Sequence, residues 1–321
     1  MKILIVSGFL GAGKTTFIKE LVRRSGIRPV IMENEYGQNN LDAKDLEQNL
    51  PKKKEIKILE FMEGCVCCTM KDSFRNSVLT VFCGLEPEFL IVEPTGVGRL
   101  SSILNNLKPI VNDKISLLNP IVVLSPRTYS ENMAEWPQLY TDQVANAGVV
   151  VFSKCEHEDP AFLDDVTTKI RSINPNAEIV SEHYSQRPDD WWRGLVNLPE
   201  LDSSAVQENE SEVFSQLTLT KAFLHNPSQL VVLLEDCLRG QFGHIVRAKG
   251  TIPTGDEMLR FDLADRQYAI TGSEDTESQV VFIGTDINQE ALCRRLNTFL
   301  PYSQHTKTLE QKALRSHTTL V

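Results

Sequence analysis

The sequence predicts an α/β fold with a mostly parallel sheet, followed by a smaller α+β domain. Over the first two-thirds of the chain, short apolar runs alternate with amphipathic helical stretches, which is the pattern of a parallel sheet covered by helices on both faces. Beyond residue 213 several strand-like segments follow one another with few helices between them, as in an antiparallel sheet. We therefore predict a first domain at 1–197, a polar and acidic linker at 198–212, and a second domain at 213–321.

Each predicted element rests on the spacing of its apolar residues. Short unbroken apolar runs indicate buried strands, and apolar residues three or four positions apart indicate helices. In the first domain, strands are predicted at 3–6, 29–32, 55–59, 89–92, 121–124, 149–152 and 177–180, and helices after Thr15, at 73–82 and at 100–107. In the second domain, strands are predicted at 213–220, 244–249, 257–263, 267–271 and 279–283, and helices at 227–237 and 288–300.

Composition and charge exclude several classes of protein. With 41% hydrophobic and 24% charged residues the chain is expected to be globular, and its net charge of −10 argues against a nucleic-acid partner. No apolar run of the sequence is long enough to span a membrane. The seven cysteines are unevenly spaced, which does not suit a disulfide framework and favours a reducing compartment. Because the chain enters a strand at once, without room for a signal peptide, we expect a cytoplasmic protein.

The motif with the clearest chemistry is Gly-Phe-Leu-Gly-Ala-Gly-Lys-Thr at 8–15. It follows a predicted strand and opens a predicted helix, which is the setting that a phosphate-binding loop requires. Its glycines let backbone N–H groups converge on phosphate oxygens, and the helix N-terminus adds partial positive charge. Lys14 is expected to reach the outer phosphates, and Thr15 to ligate Mg²⁺. The chain is therefore predicted to bind a nucleoside triphosphate through Gly8, Gly11, Ala12, Gly13, Lys14, Thr15 and Thr16.

Three cysteines stand within four residues, at Cys65, Cys67 and Cys68. Thiolates are soft ligands that favour Zn²⁺, Cu(I) or similar ions, and cysteines this close can place two or three sulfurs on one ion. They cannot complete a tetrahedral site alone, so one interpretation is an open site that passes its metal on. The spacing also allows a labile disulfide between Cys65 and Cys67, or three small buried residues after a strand.

Together, the phosphate loop and the cysteine cluster resemble those of the CobW-type GTPases. Relatives of this family deliver nickel to urease and hydrogenase, and the CobW-type members are associated with zinc and cobalt handling. The resemblance implies that Glu33 joins Cys65, Cys67 and Cys68 as a ligand of the transition metal. The matching segments occur in the family's order over nearly the whole chain, at 8–15, 33–37, 64–68, 93–96 and 243–250.

Glu93 and Gly96, which follow the apolar run at 89–92, match the family's second switch loop. Glu93 ends that run, where a carboxylate can hold Mg²⁺ with Thr15, directly or through water. Gly96 would let a backbone N–H approach the γ-phosphate, so that this loop senses whether the phosphate is present. Lys14, Thr15 and Glu93 are the residues expected to carry catalysis.

The segment that should read the base departs from the usual Asn-Lys-x-Asp pattern. The strand predicted at 149–152 is followed by Ser153, Lys154, Cys155 and Glu156. Lys154 can lie along the base, and the Glu156 carboxylate can accept hydrogen bonds from the N1 and N2 donors of guanine, which favours GTP over ATP. At Ser153 the amide that braces this loop is expected to be lost. Ser153, Lys154 and Glu156 nevertheless join Gly96 in the predicted nucleotide-binding set.

These features predict a metal-binding GTPase that couples GTP binding and hydrolysis to the delivery of zinc or cobalt into a client. GTP or GDP, Mg²⁺ and the transition metal are its expected ligands, and hydrolysis is expected to be slow without a partner or bound metal. The expected partner is a client metalloprotein or corrinoid protein, with no nucleic acid and no membrane, and a homodimer is left open. Two other functions stay open: a nucleotide-dependent factor for cobalamin or corrinoid protein assembly, and a metal- or redox-sensing switch that delivers nothing.

Overall fold

The computed structural model describes residues 1–33, 57–60 and 71–299, apart from 203, 205 and 208–213. The chain forms two units, residues 1–212 and 213–321, and each has its own hydrophobic core. The first residues of the predicted linker are attached to unit 1. The N–H of Asn119 donates to the carbonyl of Pro199, and the N–H of Leu201 donates to the carbonyl of Leu117. The linker limits at 198 and 212 stay a prediction.

Unit 1 is built on a parallel sheet whose strands are short apolar runs of the sequence. In the described part of the chain, the strands are β1 (Lys2–Ser7), β2 (Val30–Glu33), β3 (Lys57–Glu60), β4 (Phe89–Glu93), β5 (Ser116–Leu117), β6 (Ile121–Leu124), β7 (Val149–Phe152) and β8 (Glu178–Val180). Their order is β3-β2-β4-β1-β6-β7-β8, with β5 beside β1, and their pairings are parallel. Strands β2, β6 and β7 are buried along their whole length, as in a sheet covered on both faces.

Helices connect these strands and pack on the sheet. They are α1 (Lys14–Ser25), α2 (Lys71–Leu85), α3 (Leu100–Leu107), α4 (Tyr129–Glu135), α5 (Pro137–Ala145), α6 (Pro160–Ile173) and α7 (Asp189–Leu195). Helix α1 buries Phe17, Ile18 and Leu21 in the core of unit 1. The ring of Phe17 lies 5.3 Å from that of Trp192, which joins α1 to α7. The helix that begins at the phosphate loop is therefore fixed by apolar packing.

The strand order brings three polar residues to one end of the sheet. Strand β1 is central, with β4 on one side and β6 on the other. Ser7 at the end of β1 pairs with Val122, and Glu33 at the end of β2 pairs with Glu93 at the end of β4. Because the carboxyl ends of parallel strands meet at the same end of a sheet, the phosphate loop, Glu33 and Glu93 are gathered there.

Unit 2 contains an antiparallel sheet that packs with helices. Within the described residues its strands are β9 (Ser215–Thr220), β10 (His244–Thr254), β11 (Glu257–Ala264), β12 (Gln267–Gly272) and β13 (Gln279–Thr285), and its helices are α8 (Pro227–Leu238) and α9 (Gln289–Arg295). The strand order is β12-β11-β10-β13-β9, with antiparallel pairings. Burial alternates along β11, so one face of the sheet lies on the core and the other does not.

The predicted fold class is confirmed, with a parallel sheet in unit 1 and an antiparallel α+β arrangement in unit 2. The predicted strands recur within a few residues of their expected limits. One difference is β10, which continues past Lys249 to Thr254, because pairing with β11 carries it through Gly250 and Pro253. No helix in the described part of the chain is both long and apolar enough to cross a membrane.

Candidate nucleotide and metal site

The phosphate loop joins the end of β1 to the start of α1. Its first glycine, Gly8, has no room for a side chain, because a Cβ atom there would lie 2.1 Å from the carbonyl oxygen of Val123 in β6. The loop can therefore lie directly against its neighbouring strand. The amide groups that open a helix have no partner within the helix, which makes this junction suited to an anion. The other predicted loop residues, Gly11, Ala12, Gly13 and Thr16, lie in the same turn or in the first turn of α1.

Lys14 lies inside the phosphate loop. Its Nζ donates to the carbonyl of Gly8 over 3.1 Å and to that of Phe9 over 3.2 Å, and the residue is 7% exposed. A buried ammonium requires such partners, since it is costly to remove from water alone. A phosphate held by the loop amides would therefore meet a cation that the loop already holds in place.

Thr15 and Glu93 are in contact beside this loop. The Thr15 hydroxyl donates to Oε1 of Glu93 over 2.9 Å. Thr15 lies in the first turn of α1 and Glu93 ends β4, which is the direct neighbour of β1. Both side chains supply hard oxygen atoms, the ligand type that Mg²⁺ prefers. The donor set therefore fits the predicted role of holding Mg²⁺ next to bound phosphates.

Of the four ligands predicted for the transition metal, Glu33 lies in the described part of the chain. Glu33 is 4% exposed and is the register partner of Glu93 at the end of the sheet. Cys65, Cys67 and Cys68 lie outside the described residues. Among those that are described, no three His, Cys, Asp or Glu side chains form a group that could hold a metal. A transition-metal site at Glu33 therefore depends on ligands from outside that part of the chain.

The loop after β4 contacts both the phosphate loop and helix α5. A Cβ atom on Gly96 would lie 2.4 Å from the backbone nitrogen of Leu10, so only glycine fits against the phosphate loop here. From α5, the side-chain amide of Gln143 donates to the carbonyls of Gly96, over 3.3 Å, and of Gly98, over 3.2 Å. The predicted γ-phosphate sensor is therefore in direct contact with the loop that is predicted to hold the phosphates.

Helix α5 also holds the far end of this loop through a buried carboxylate. Oδ2 of Asp142 accepts a hydrogen bond from the N–H of Ser101 over 3.1 Å, and its Oδ1 lies 3.7 Å from Nε of Arg99. Burial raises the pKa of Asp142, which outweighs the opposite effects of the Ser101 hydrogen bonds and the Arg99 charge. Asp142 and Gln143 thus hold neighbouring parts of the segment from Gly96 to Ser101.

Ser153 supports the phosphate loop from the base-reading segment. Its hydroxyl donates to the carbonyl of Ala12 over 2.6 Å, and the residue is 2% exposed. The amide expected to be lost at this position is absent, and the shorter Ser153 hydroxyl reaches the carbonyl of Ala12 in its place. Through this contact Ser153 holds the backbone of the phosphate loop.

Glu156, the predicted acceptor for guanine, is paired with a histidine. Its side chain is 49% exposed, and Oε1 lies 3.1 Å from Nε2 of His183. The His183 ring stacks on Tyr184 with 4.3 Å between centroids, and its Nδ1 lies 2.7 Å from the hydroxyl of Ser185. Lys154 lies two residues before Glu156 with a left-handed φ of 54°. His183 therefore orients the carboxylate from the loop that follows β8.

Sequence reasoning missed Asp142, Gln143 and His183. Neighbouring polar residues in an amphipathic helix usually face water, so nothing in the spacing of Asp142 and Gln143 marks them as buried. For His183 a signal was available, because it follows a predicted strand closely. Ligand-binding loops of parallel sheets lie at the carboxyl ends of their strands.

Comparison with known proteins agrees with this geometry. Residues 2–181 match the family described as CobW/HypB/UreG, nucleotide-binding domain. Residues 214–300 match the family described as Cobalamin synthesis protein cobW C-terminal domain. The first match alone covers more than half of the chain, and it includes the phosphate loop, the loop after β4 and the base-reading segment.

Individual relatives share a modest part of the sequence. Zinc chaperone YeiR of Escherichia coli is 29% identical over 49% of this chain, and the chain spans about half the length of YeiR, 47%. Zinc chaperone CobW of Pseudomonas aeruginosa is 24% identical over 94% of this chain and 92% of the relative. A crystal structure of Zn(II)-bound YjiA GTPase from E. coli has 16% identity and a TM-score of 0.44, covering 92% of this chain and 97% of that one. The chain belongs to the CobW/HypB/UreG family, as its motifs predicted.

Proposed function

We propose that this protein hydrolyses GTP and couples its nucleotide cycle to the delivery of a transition metal, zinc foremost, to a client protein. The observation that carries the proposal is the 2.9 Å contact between Thr15 and Glu93 beside the buried Lys14. Together these three residues place a hydroxyl, a carboxylate and an ammonium group around one glycine-rich loop. Relatives named zinc chaperones support the choice of zinc.

Each of these groups has a part in phosphoryl transfer. The loop amides and Lys14 bind the phosphate oxygens, and Thr15 and Glu93 hold Mg²⁺, which when bound neutralises charge on the phosphates. Gly96 brings a backbone N–H toward the γ-phosphate. Such a site works by positioning and electrostatics more than by a general base, so hydrolysis is expected to be slow without a client or metal.

Coupling to the metal is supported by the neighbouring strand ends. Glu33 and Glu93 are register partners, so a proposed cargo ligand adjoins a proposed Mg²⁺ ligand. We assign Cys65, Cys67 and Cys68 as the thiolate partners of Glu33. A change in the loop after β4 with the nucleotide state would then change the geometry of the metal site.

The coupling is tested by the affinity of the full chain for Zn²⁺ in the presence of GDP and of a non-hydrolysable GTP analogue. The two affinities are expected to differ, because linkage requires a difference if nucleotide state controls metal release. Replacing Cys65, Cys67 and Cys68 by serine should remove the tight binding. Cys83, which is exposed, offers the control, since Cys83→Ser should leave it unchanged. Equal Zn²⁺ affinities in the two nucleotide states would refute the coupling.

The choice of guanine is tested separately by competition. Unlabelled GTP and ATP are titrated against bound fluorescent GDP. GTP is expected to displace the probe at much lower concentration, because the Glu156 carboxylate accepts from the guanine donors and repels the acceptor edge of adenine. Equal displacement by ATP would remove guanine specificity from the proposal and leave the metal coupling to be judged alone.

A further inference from the structure

Helix α5 contacts the nucleotide loops through three side chains that the proposed function does not use. The ring centroid of Tyr140 lies 5.3 Å from that of Phe9 in the phosphate loop. Asp142 accepts a hydrogen bond from the N–H of Ser101, and Gln143 donates to the loop after β4. Helix α5 therefore contacts both the loop that holds phosphates and the loop proposed to sense the γ-phosphate.

Gln143 makes the central contact of this set. Its single amide nitrogen carries two donors and reaches two carbonyls, those of Gly96 and Gly98. The same turn is closed by the N–H of Gly98 on the carbonyl of Thr95, over 2.9 Å. Gln143 is 2% exposed, so water cannot easily take its place. Because Gly96 also touches Leu10, it cannot move without changing its contact with Gln143, with the phosphate loop, or with both.

We propose that Gln143 is a positioning residue for triphosphate recognition, which acts by holding the backbone of Gly96 against the phosphate loop. This role rests on the proposed function, because it takes Gly96 as the γ-phosphate contact. A diphosphate has no such requirement, since its oxygens are bound by the phosphate loop and Lys14. The consequence is selective: loss of the Gln143 amide weakens triphosphate binding and hydrolysis and spares diphosphate binding.

The test is the ratio of two affinities of the full chain, for fluorescent GDP and for a fluorescent non-hydrolysable GTP analogue. Gln143→Met keeps the length of the side chain but leaves two buried carbonyls without their donor, and Gln143→Glu sets a carboxylate against them. Each variant is expected to lose about tenfold in triphosphate affinity, with GDP affinity within about twofold of the wild type. The single-turnover rate of GTP hydrolysis should fall as well.

Asn174→Leu is the matched control for simple loss of stability. The Asn174 amide donates to the carbonyls of Val144 and Ala147, both over 2.9 Å, where α5 ends, one and four positions after Gln143. Its loss should lower the midpoint of thermal unfolding and leave the affinity ratio unchanged.

Two results would overturn the proposal: an unchanged ratio in both Gln143 variants, or an equal shift of the ratio in Asn174→Leu. If the wild-type chain preferred adenine nucleotides, only the assignment of GTP would be refuted. The same ratio measured with ADP and an ATP analogue would then still test Gln143.

Discussion

Replacing Gly96 by alanine tests the contact between the loop after β4 and the phosphate loop. The added Cβ atom would lie 2.4 Å from the backbone nitrogen of Leu10, 2.7 Å from its Cα and 2.8 Å from its Cδ2. Two of these atoms belong to the backbone, so a rotamer change cannot relieve the overlap. The two loops must separate by about 1 Å before the contact becomes an ordinary one.

Forcing extra volume into a packed site of this kind costs about 1–3 kcal/mol. In a unit of this size, each kcal/mol lowers the midpoint of thermal unfolding by about 2–4 °C. The same separation carries the backbone of Gly96 away from the proposed phosphate position. Loss of one hydrogen bond to a charged phosphate oxygen corresponds to about tenfold in triphosphate affinity, or about 1.4 kcal/mol.

Thermal unfolding and nucleotide titration of the full chain measure both effects. Gly84→Ala is the matched control, because an added Cβ there meets no atom within 4 Å and Gly84 lies in α2. Alanine in a helix is favoured over glycine by about 0.5–1 kcal/mol, so this control is expected to raise the midpoint slightly and leave nucleotide affinity unchanged. A Gly96→Ala protein with the wild-type midpoint and triphosphate affinity would refute the reasoning.

Four further substitutions probe other contacts of the site. Ser153→Ala removes the hydroxyl donor to the buried carbonyl of Ala12, so the affinities for GDP and GTP should both fall by about tenfold in direct titration. A loss of affinity for only one of the two nucleotides would contradict the idea that Ser153 supports the phosphate loop. Glu156→Gln replaces one of the two acceptor oxygens by a donor NH2 group, so the preference for GDP over ADP should fall by about tenfold in competition. His183→Phe keeps the carboxylate and should reduce this preference less. Burial raises the pKa of Asp142, so as the pH falls the folded protein takes up a proton at this carboxylate at a higher pH than the unfolded chain does. The free energy of unfolding, relative to that of Asp142→Asn, is therefore expected to rise as the pH falls from that raised value toward 3.8, and a constant difference in urea unfolding would contradict this.

The sheet of unit 1 could be predicted because its strands are buried on both faces. Every residue of such a strand must be apolar, so a short unbroken run marks it without help from its neighbours. The predicted strands at 121–124 and 149–152 coincide with β6 and β7 for this reason. The end of β10 could not be predicted, because Gly250 and Pro253 disfavour a strand locally and pairing with β11 overrides them.

The residues of the candidate site also differ in how far the sequence predicts them. The phosphate loop and Glu93 could be predicted because they belong to short motifs at the ends of predicted strands. Gln143 could not, because its partners Gly96 and Gly98 lie 47 and 45 positions away in the sequence. Hydrogen bonds of that separation depend on the folded arrangement of helix α5 and leave no periodic signal.

Several contacts of the candidate site converge on the segment after β4. Under the proposed function, this segment connects the gain or loss of one phosphate to the metal site. Thr15 contacts Glu93 at its start, Leu10 contacts Gly96, and Gln143 holds the same turn from α5. The strand that leads into this segment is paired with β2, which ends at Glu33. Under the proposed function, gain or loss of one phosphate therefore needs to displace only this segment to change both the Mg²⁺ ligand and the neighbouring metal ligand. All of these residues belong to unit 1, so the contacts from which the coupling of nucleotide to metal is proposed lie within that unit.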